Sequence, residues 1–406
     1  MRSIMRWEHC NLNFNFCKMK FLNITLIPVM LIIFIGCSSE STTPNAGSGK
    51  FAIMAYYVPG NDIVPEKLPL NKLTHIIISF TEVINNKMSF PEPSDYDKLQ
   101  MIVNEKRKHP DLKVMVACGG WSGSEGFSDM AASSATRNTF VQSVIGFLEN
   151  YNVDGVDIDW EYPGMPGIGN TYRKKDKENF TKLMKELRSA MNKTGRVYTL
   201  TFAAAGWEGY FDHIELKKVL KYADYINMMT YDFEGGYTPI AAHHTNLGKV
   251  GLFNIKSKAG LDYYKQSPRS AERIISFVLS KGVDPRQVII GCAFYGRGWK
   301  GVSPENHGLY QSNKGYWKTL SYSKIHQNYE NRNNFIRYWD DIAKAPFLYN
   351  PVDSIFISYD DAMSVKLKTA YAQNNNLGGV MFWELKHDTE NNILVNSIYE
   401  QMKQFR

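Results

Sequence analysis

The chain has 406 residues, of which 44% are hydrophobic and 13% aromatic, so it can bury a large core and is not an intrinsically disordered protein. Its formal net charge is +7, but residues 1–36 hold four basic side chains against one acidic side chain, which leaves 43 basic and 39 acidic residues, or +4, for the rest. No stretch of that remainder is basic enough to indicate a nucleic-acid-binding surface.

Residues 1–36 have the pattern of an export signal. Lys18 and Lys20 precede an apolar run over residues 21–35, which is short for a membrane span and typical of a signal peptide. The run ends in FIGC, which resembles the signal of a bacterial lipoprotein, where the cysteine is acylated after the leader is cut. We therefore expect lipidation of Cys37 and a membrane-anchored lipoprotein at the cell surface or in the periplasm, with a secreted protein as the alternative.

Residues 37–49 are rich in Ser, Thr and Gly and predict a flexible linker. Beyond the leader and Cys37, the remaining cysteines are Cys118 and Cys292, each inside an apolar run. We expect both to be small core residues that do not form a disulfide.

From Phe51 onward, apolar strand-like runs alternate with segments of helical periodicity, such as 95–109, 136–150, 174–192, 269–281 and 388–404. Apolar strands that alternate with helices predict a parallel sheet, and eight such units predict a (β/α)8 TIM barrel of the α/β class. The eight strand candidates are residues 51–58, 74–80, 113–120, 155–161, 197–205, 225–232, 287–296 and 377–384.

Residues 299–355, between the seventh and eighth strands, are too long for one helix and combine many aromatic residues with Asn and Lys. They predict a small α+β insertion on the rim of the barrel that walls one side of a groove. The alternative is a long loop that only covers the barrel end. The catalytic barrel then comprises residues 50–298 and 356–406.

The stretch DGVDIDWEYP, residues 154–163, places Asp157, Asp159 and Glu161 on one face of a strand, because its apolar residues occupy the alternate positions. Neighbouring carboxylates repel one another and resist desolvation, so this arrangement lowers stability unless it lies in a polar cavity. The pattern therefore indicates chemistry. A calcium or magnesium site is the less favoured alternative, since a tryptophan is interleaved with the acids.

Polar and aromatic residues also cluster where the other predicted strands end. Active sites of TIM barrels lie at the carboxyl ends of the strands, so these residues predict a groove there. They are Tyr56, Tyr57, Phe80, Gly119, Gly120, Trp121, Tyr231, Asp232, Tyr295, Arg297, Trp383 and Glu384.

The acidic stretch resembles the D-x-x-D-x-D-x-E signature of glycoside hydrolase family 18, the chitinases. Five further motifs of that family occur in order along the chain, one before the acidic stretch and four after it: GGW at 119–121, MTYD at 229–232, FYGRGW at 294–299, YDD at 359–361 and GGVMFWE at 378–384. The resemblance implies retaining hydrolysis of β-1,4-linked N-acetylglucosamine in chitin or chitooligosaccharides. In this family the acetamido oxygen of the substrate forms an oxazolinium intermediate, and no protein nucleophile is needed.

The resemblance also implies roles for single residues. Glu161 would be the general acid and then the base, Asp159 would orient the acetamide, and Asp157 would share a proton with Asp159. Tyr231 would hold the acetamide carbonyl and Trp383 would lie under the reacting sugar. Further substrate-binding residues would be Tyr56, Phe80, Trp121, Met229, Asp232 and Arg297. No cofactor, metal ion or nucleic acid is implied, and a monomer is expected.

Two departures from the family pattern stand out. Ala117 replaces a serine that supports the innermost aspartate in many relatives, which leaves Tyr56 as the expected partner of Asp157. The segment FEGGYTP, 233–239, lacks a tryptophan that relatives often carry. A non-catalytic chitin-binding protein and an endo-β-N-acetylglucosaminidase acting on N-glycans remain alternatives, and endo or exo cutting stays open. The adjacent His243 and His244 are more typical of a loop than of a metal pair.

Overall fold

The computed structural model of the protein describes residues 50–404. The predicted signal peptide, the lipidation site Cys37 and the predicted linker lie outside the described residues.

Eight parallel strands form the central sheet, and we number them β1 to β8 in chain order. The first strand pairs with both the second and the eighth, which closes the sheet into a barrel and confirms the predicted fold class. The strands are Ala52–Tyr57 (β1), His75–Ile84 (β2), Lys113–Gly119 (β3), Gly155–Asp159 (β4), Thr199–Ala205 (β5), Tyr225–Met229 (β6), Val288–Ala293 (β7) and Gly379–Trp383 (β8).

The barrel strands are apolar on both faces because both faces are buried. In β1, Met54 and Tyr56 belong to the cluster inside the barrel, whereas Ile53 and Ala55 pack in the cluster around it. This two-residue alternation explains why the strands appear in the sequence as continuous apolar runs. Cys118 and Cys292 are buried and free, on strands β3 and β7 at opposite positions of the strand order.

Several helices begin at residues that cap their first backbone N–H groups. Ser133 accepts from the Thr136 N–H, Ser270 accepts from the Arg273 N–H, and Asp361 forms a capping box. None of the helices between residues 50 and 404 is long and apolar enough to cross a membrane. The α-helices are Ser94–Asn104, Phe127–Ala132, Ser134–Asn150, Asp176–Lys193, Leu216–Val219, Lys258–Tyr263, Ala271–Ser280, Tyr322–Asn328, Ala362–Asn374 and Ile393–Lys403.

A five-stranded antiparallel sheet is inserted between β7 and β8. Its strands, in spatial order, are Tyr316–Ser321, Tyr295–Lys300, Ile355–Tyr359, Ala345–Asn350 and Ile336–Asp340. The sheet begins at Tyr295 and ends at Tyr359, so its bounds differ from the predicted 299–355 on both sides.

The predicted seventh strand, 287–296, is therefore too long. The barrel strand ends at Ala293, and the ring of Phe294 stacks on Phe382 with 4.1 Å between the ring centroids. The chain then enters Tyr295–Lys300, which pairs with an inserted strand on each side. Phe294 and Tyr295 continue the apolar run of β7 in the sequence without a break, and this hides the change of sheet.

Strand β2 also extends beyond its prediction. It continues to Ile84, and its last residues pair antiparallel with Lys87–Ser89. This short hairpin carries Glu82, which lies opposite Ser89, past the parallel part of the barrel sheet.

A fully buried ion pair joins the inserted sheet to the barrel. The Lys368 Nζ atom lies 2.6 Å from Oδ2 of Asp360, and neither side chain is exposed. The same carboxylate oxygen accepts hydrogen bonds from the Ala293 N–H at 2.9 Å and from the Thr245 hydroxyl at 3.0 Å. Because a buried charge is tolerated only with partners, this pair fixes the end of β7 against the return from the inserted sheet.

Candidate active site

A cavity of about 700 Å³ opens at the carboxyl ends of the barrel strands. The strand ends bring together residues that are far apart in the sequence, and the inserted sheet adds Arg297 and Thr319. Every predicted catalytic or substrate-binding residue except Asp157 lines the cavity, namely Tyr56, Phe80, Trp121, Asp159, Glu161, Met229, Tyr231, Asp232, Arg297 and Trp383.

Asp157 lies in the barrel interior and is fully buried. Its carboxylate accepts three hydrogen bonds from side chains on three other strands. The Tyr56 hydroxyl donates to Oδ2 at 2.8 Å, the Thr201 hydroxyl donates to Oδ1 at 2.5 Å, and the Asn227 amide donates to Oδ1 at 3.1 Å. These donors favour the charged form of a carboxylate that burial alone would keep neutral.

The partner of Asp157 expected from the sequence, Tyr56, is present, but two others were missed. Ala117 lies beside Asp157 on β3, and Thr201 lies beside it on β5, so the flanking hydroxyl comes from the opposite neighbour. The missed signal was the presence of single polar residues, Thr201 and Asn227, at interior positions of otherwise apolar strands.

Asp159 lies two residues after Asp157 on the same face of β4. It is buried and lines the cavity. Burial, followed by the charges of Glu161 and Asp157, raises its pKa well above the usual value. Burial also raises the pKa of Asp157, to about 6, although its hydrogen bonds oppose the shift. Because three groups donate hydrogen bonds to Asp157 and none of the described residues donates to Oδ1 of Asp159, the negative charge of this pair is favoured on Asp157 and the proton on Asp159. The two carboxyl groups do not hydrogen-bond each other among the described residues, and Oδ1 of Asp159 has no partner there.

The GGW motif allows β3 to approach this acidic strand closely. Gly119 has a φ of +114°, and a Cβ atom there would lie 2.1 Å from the carbonyl oxygen of Asp159. Gly120 donates its N–H to that same carbonyl at 2.8 Å. Only glycine fits both the backbone conformation and the contact.

Glu161 follows β4 and is almost fully buried in the cavity wall. Its backbone is held on both sides, since its N–H donates to the Ser124 hydroxyl at 2.9 Å and its carbonyl accepts from the Asn170 amide at 2.7 Å. Burial raises the pKa of Glu161 to about 7, a hydrogen bond with Tyr162 opposes this shift, and the Asp232 charge adds to it. A carboxyl group with this pKa can both give and take a proton near neutral pH.

Asp232 is held by groups from the inserted sheet. Its Oδ1 atom accepts from the Tyr295 hydroxyl at 2.7 Å and from Nε of Arg297 at 2.6 Å, and Nδ1 of His244 lies 3.5 Å away. Burial would raise the pKa of Asp232, but the neighbouring His244 and Arg297 lower it below the usual value. The adjacent histidines thus serve different carboxylates, because Nε2 of His243 lies 3.2 Å from Oδ2 of Asp340.

Aromatic rings form the floor of the cavity. Trp383 stacks on Phe80 with 5.3 Å between the ring centroids and lies 6.0 Å from the ring of Tyr56. The hydroxyl of Tyr231 contacts the sulfur of Met381 at 3.9 Å, which is a weak interaction that leaves the hydroxyl available to a ligand.

Three tryptophans outside the acidic stretch differ in their location. Trp121 is 50% exposed and lines the cavity. Trp207 also lines the cavity, and its ring packs edge to face on Tyr162 with 5.2 Å between the ring centroids. Trp299 is fully buried within the inserted sheet. Tyr237, in the segment that lacks the family tryptophan, is fully exposed and does not line the cavity.

Between residues 50 and 404, no group of three or more His, Cys, Asp or Glu side chains is arranged to hold a metal ion. The carboxyl groups of the acidic strand instead accept hydrogen bonds from hydroxyl and amide groups or are held in the protonated form. The geometry fits acid–base chemistry on a neutral ligand that packs against aromatic rings.

Comparison with known proteins identifies the family to which the chain belongs. The sequence profile of the glycosyl hydrolases family 18 matches residues 52–388. The chain belongs to glycosyl hydrolase family 18. The match covers every barrel strand described above.

Family 18 relatives with known activities are clearly similar to the chain. Chitinase A1 of Niallia circulans is 40% identical over 305 residues, which cover 72% of this chain but only 43% of that relative. Chitinase B of Serratia marcescens is 30% identical over 398 residues, covering 84% of this chain and 78% of the relative. The solved structure of a family 18 N-acetylglucosaminidase from Paenibacillus barengoltzii has 35% identity and a TM-score of 0.77, over 87% of this chain and all of that one.

Replacing Thr201 by Val should lower kcat/KM for an N-acetylglucosamine oligomer by about 10- to 100-fold, because a hydrogen bond to a charged group contributes roughly 1.5–3 kcal/mol. Thr201→Ser keeps the hydroxyl and is the matched control. Adding Ala117→Ser to Thr201→Val should recover part of the loss, since residue 117 lies beside Asp157 on the other flanking strand. Equal rates for the Val and Ser variants would contradict this role of Thr201.

The pH dependence of kcat/KM should be bell-shaped. Activity should fall below about pH 6, where Asp157 gains a proton, and above about pH 7, where Glu161 loses the proton that it must donate. The two limits are apparent pKa values of the carboxyl groups as a coupled set. Initial rates at low substrate concentration across the pH range test this, and a profile that stays flat through the alkaline limb would show that Glu161 is not the acid.

Proposed function

We propose that the chain is a chitinase that hydrolyses β-1,4-linked N-acetylglucosamine polymers or oligomers with retention of configuration. The observation that supports this best is the arrangement of three carboxyl groups on β4 and just after it. Asp157 is fully buried and accepts three hydrogen bonds, whereas Asp159 and Glu161 line the cavity, where burial raises the pKa of Glu161 to about 7. The chitinases among the family 18 relatives support the substrate class.

In the first step, Glu161 donates its proton to the oxygen of the leaving sugar. The acetamido oxygen of the reacting sugar attacks its own anomeric carbon, and an oxazolinium ion forms. Asp157 has no route to the anomeric carbon, because it is fully buried beneath the cavity. In the second step, Glu161 takes a proton from water, which opens the ring with net retention.

Asp159 stabilises the intermediate. A positive charge beside Asp159 favours its ionised form, so formation of the oxazolinium ring favours transfer of the Asp159 proton to Asp157, which brings the negative charge of the pair towards the ring. The Tyr231 hydroxyl lies in the same cavity and donates to the acetamide oxygen, which holds it near the anomeric carbon. Trp383 supports the reacting sugar from below.

Incubation of residues 49–406 with chitohexaose, and in parallel with an N-glycopeptide, tests the proposal. Short N-acetylglucosamine oligomers should form from chitohexaose, and the Glu161→Gln variant should lose turnover while keeping its affinity for the oligomer. Cleavage of the glycopeptide alone would instead assign the chain to the N-glycan-cleaving class. Binding without products from either substrate would assign it to the non-catalytic chitin-binding proteins.

A second candidate is an exo-acting N-acetylglucosaminidase. The Paenibacillus barengoltzii structure, which aligns over its full length at 35% identity, is described as an N-acetylglucosaminidase. The same digestion separates the two, because an exo-acting enzyme releases monomer from the first time points, whereas an endo-acting one releases mixed oligomers.

We further propose that the chain is exported and anchored by a lipid on Cys37, which rests on the signal-like sequence of residues 1–37. Expression of the full chain in a bacterium should give protein in the detergent phase of a phase partition, with the mass of an acylated N-terminal cysteine. The Cys37→Ser variant should remain in the aqueous phase. An unmodified cysteine in the mature wild-type protein would refute the anchor.

A further inference from the structure

The end of the barrel opposite the cavity carries a patch of exposed cations. At this end the chain enters the parallel strands, and the cations lie in the segments that lead into β3, β5, β6 and β7. These strands follow one another around the barrel, with β4 between β3 and β5. The patch is spread over four segments of the sequence, so only the closed barrel brings it together. We call it the basic face, and its cations are Arg107, Lys113, Lys193, Arg196, Lys221 and Lys281.

Side-chain contacts join these segments into one surface. Arg196 donates to Oδ1 of Asn152, in the loop before β4, at 2.9 Å, and Lys106 donates to the backbone carbonyl of the same asparagine at 3.1 Å. Lys113 donates to the Thr199 hydroxyl at 3.2 Å, which connects the start of β3 to the start of β5. The basic face is therefore continuous across β3, β4 and β5.

The positive charge of the basic face is not neutralised. Among residues 50–404, none of its six cations has a carboxylate oxygen within 4.0 Å. Acids at this end are paired with other cations, as Asp111 is with Lys50 at 3.7 Å and Asp154 is with Lys106 at 2.6 Å. Glu149, at the end of the helix before β4, is exposed, but it is one acid against six cations.

An exposed apolar side chain lies in the same face. Val197 is 73% exposed in the loop before β5, next to Arg196. The guanidinium group of Arg196 lies 5.2 Å from the centre of the Tyr198 ring on the other side of this valine in the sequence. Cations beside an exposed apolar residue are the combination by which proteins bind at the surface of an anionic membrane.

The chain enters the barrel at this end. Lys50 is the first described residue and lies just before β1, so the predicted linker and Cys37 connect to the barrel at the end of the basic face and not at the cavity. The predicted linker has 13 residues, and a segment of that length rich in Ser and Gly spans roughly 20 Å on average. An acyl group on Cys37 would thus keep the basic face close to lipid headgroups, where electrostatic attraction is strongest.

We infer that the basic face docks on the anionic phospholipid surface of the membrane to which the chain is tethered. This inference rests on the proposed lipid anchor, which supplies the tether. The basic face and the cavity lie at opposite ends of the same parallel strands. Docking therefore directs the cavity away from the membrane and leaves it open to a polymer in the surrounding medium.

Residues 49–406 contain the closed barrel without the anchor and test the basic face directly. At low ionic strength they should sediment with vesicles of phosphatidylcholine that contain about one third phosphatidylglycerol, and not with vesicles of phosphatidylcholine alone. About 0.5 M salt should release them, because it screens exposed charges. No binding of the wild type to the anionic vesicles would overturn the inference.

A triple variant, Arg107→Gln, Lys193→Gln and Lys221→Gln, should lower the affinity for the anionic vesicles at least tenfold, since each basic residue near such a surface strengthens binding by roughly fivefold. The matched control has the same net charge and replaces exposed lysines after the carboxyl ends of β4, β6 and β7. It is Lys174→Gln, Lys256→Gln and Lys314→Gln, and it should bind as the wild type does. Equal losses in the two triple variants would contradict a role for the basic face.

A fluorophore reports which end of the barrel meets the vesicle. Cys118 and Cys292 are buried and are the only cysteines of residues 49–406, so a thiol-reactive dye labels an introduced cysteine. The emission of an environment-sensitive dye on Val197→Cys should move to shorter wavelength with anionic vesicles, whereas that on Lys174→Cys should not. A shift on Lys174→Cys alone would overturn the proposed orientation.

These measurements fail separately from the proposed function. An unmodified Cys37 in the mature protein would refute the anchor, and failure to cut chitohexaose would refute the chitinase activity. Neither result changes the binding of residues 49–406 to vesicles, because that binding requires neither acylation nor catalysis. The comparison of the two triple variants therefore decides on the basic face by itself.

Discussion

The burial of the Asp157 carboxylate is the constraint on which the catalytic site depends. A buried carboxylate without partners is disfavoured by several kcal/mol, and here its partners come from β1, β5 and β6. These strands flank and face β4, so the charge is satisfied only when the barrel is closed. The same low-polarity setting keeps the proton on Asp159 and raises the pKa of Glu161. The fold and the chemistry therefore share one electrostatic cause.

A second buried carboxylate, Asp360, organises the opposite wall in a different way. It is paired with the fully buried Lys368 and accepts a hydrogen bond from Thr245, whose hydroxyl oxygen also lies 3.3 Å from the backbone carbonyl oxygen of Thr230. Thr230 immediately precedes Tyr231 in the cavity. A permanent cation makes Asp360 a structural anchor, whereas neutral donors leave the charge of Asp157 responsive to its neighbours. The YDD motif thus connects the inserted sheet to the site through Asp360.

Much of this architecture was predictable because it depends on local patterns. The alternation of apolar strands and helices predicted the barrel, and the spacing of the acids predicted which face of β4 meets the cavity. The end of β7 was misplaced, because Phe294 and Tyr295 continue its apolar run in the sequence although Tyr295 already belongs to another sheet. Thr201 and Asn227 were missed, since nothing local distinguishes a polar residue that meets a distant carboxylate from one that meets the backbone.

The sequence by itself determined the class of fold and the family signature, because strand periodicity and motif spacing are properties of the chain alone. Only the tertiary structure decided which strands supply the donors to Asp157 and that His244 lies beside Asp232. These are contacts between residues far apart in the sequence. The physical reason is that hydrogen bonds, burial and charge compensation depend on distances in space, which the closure of the barrel and the docking of the inserted sheet set.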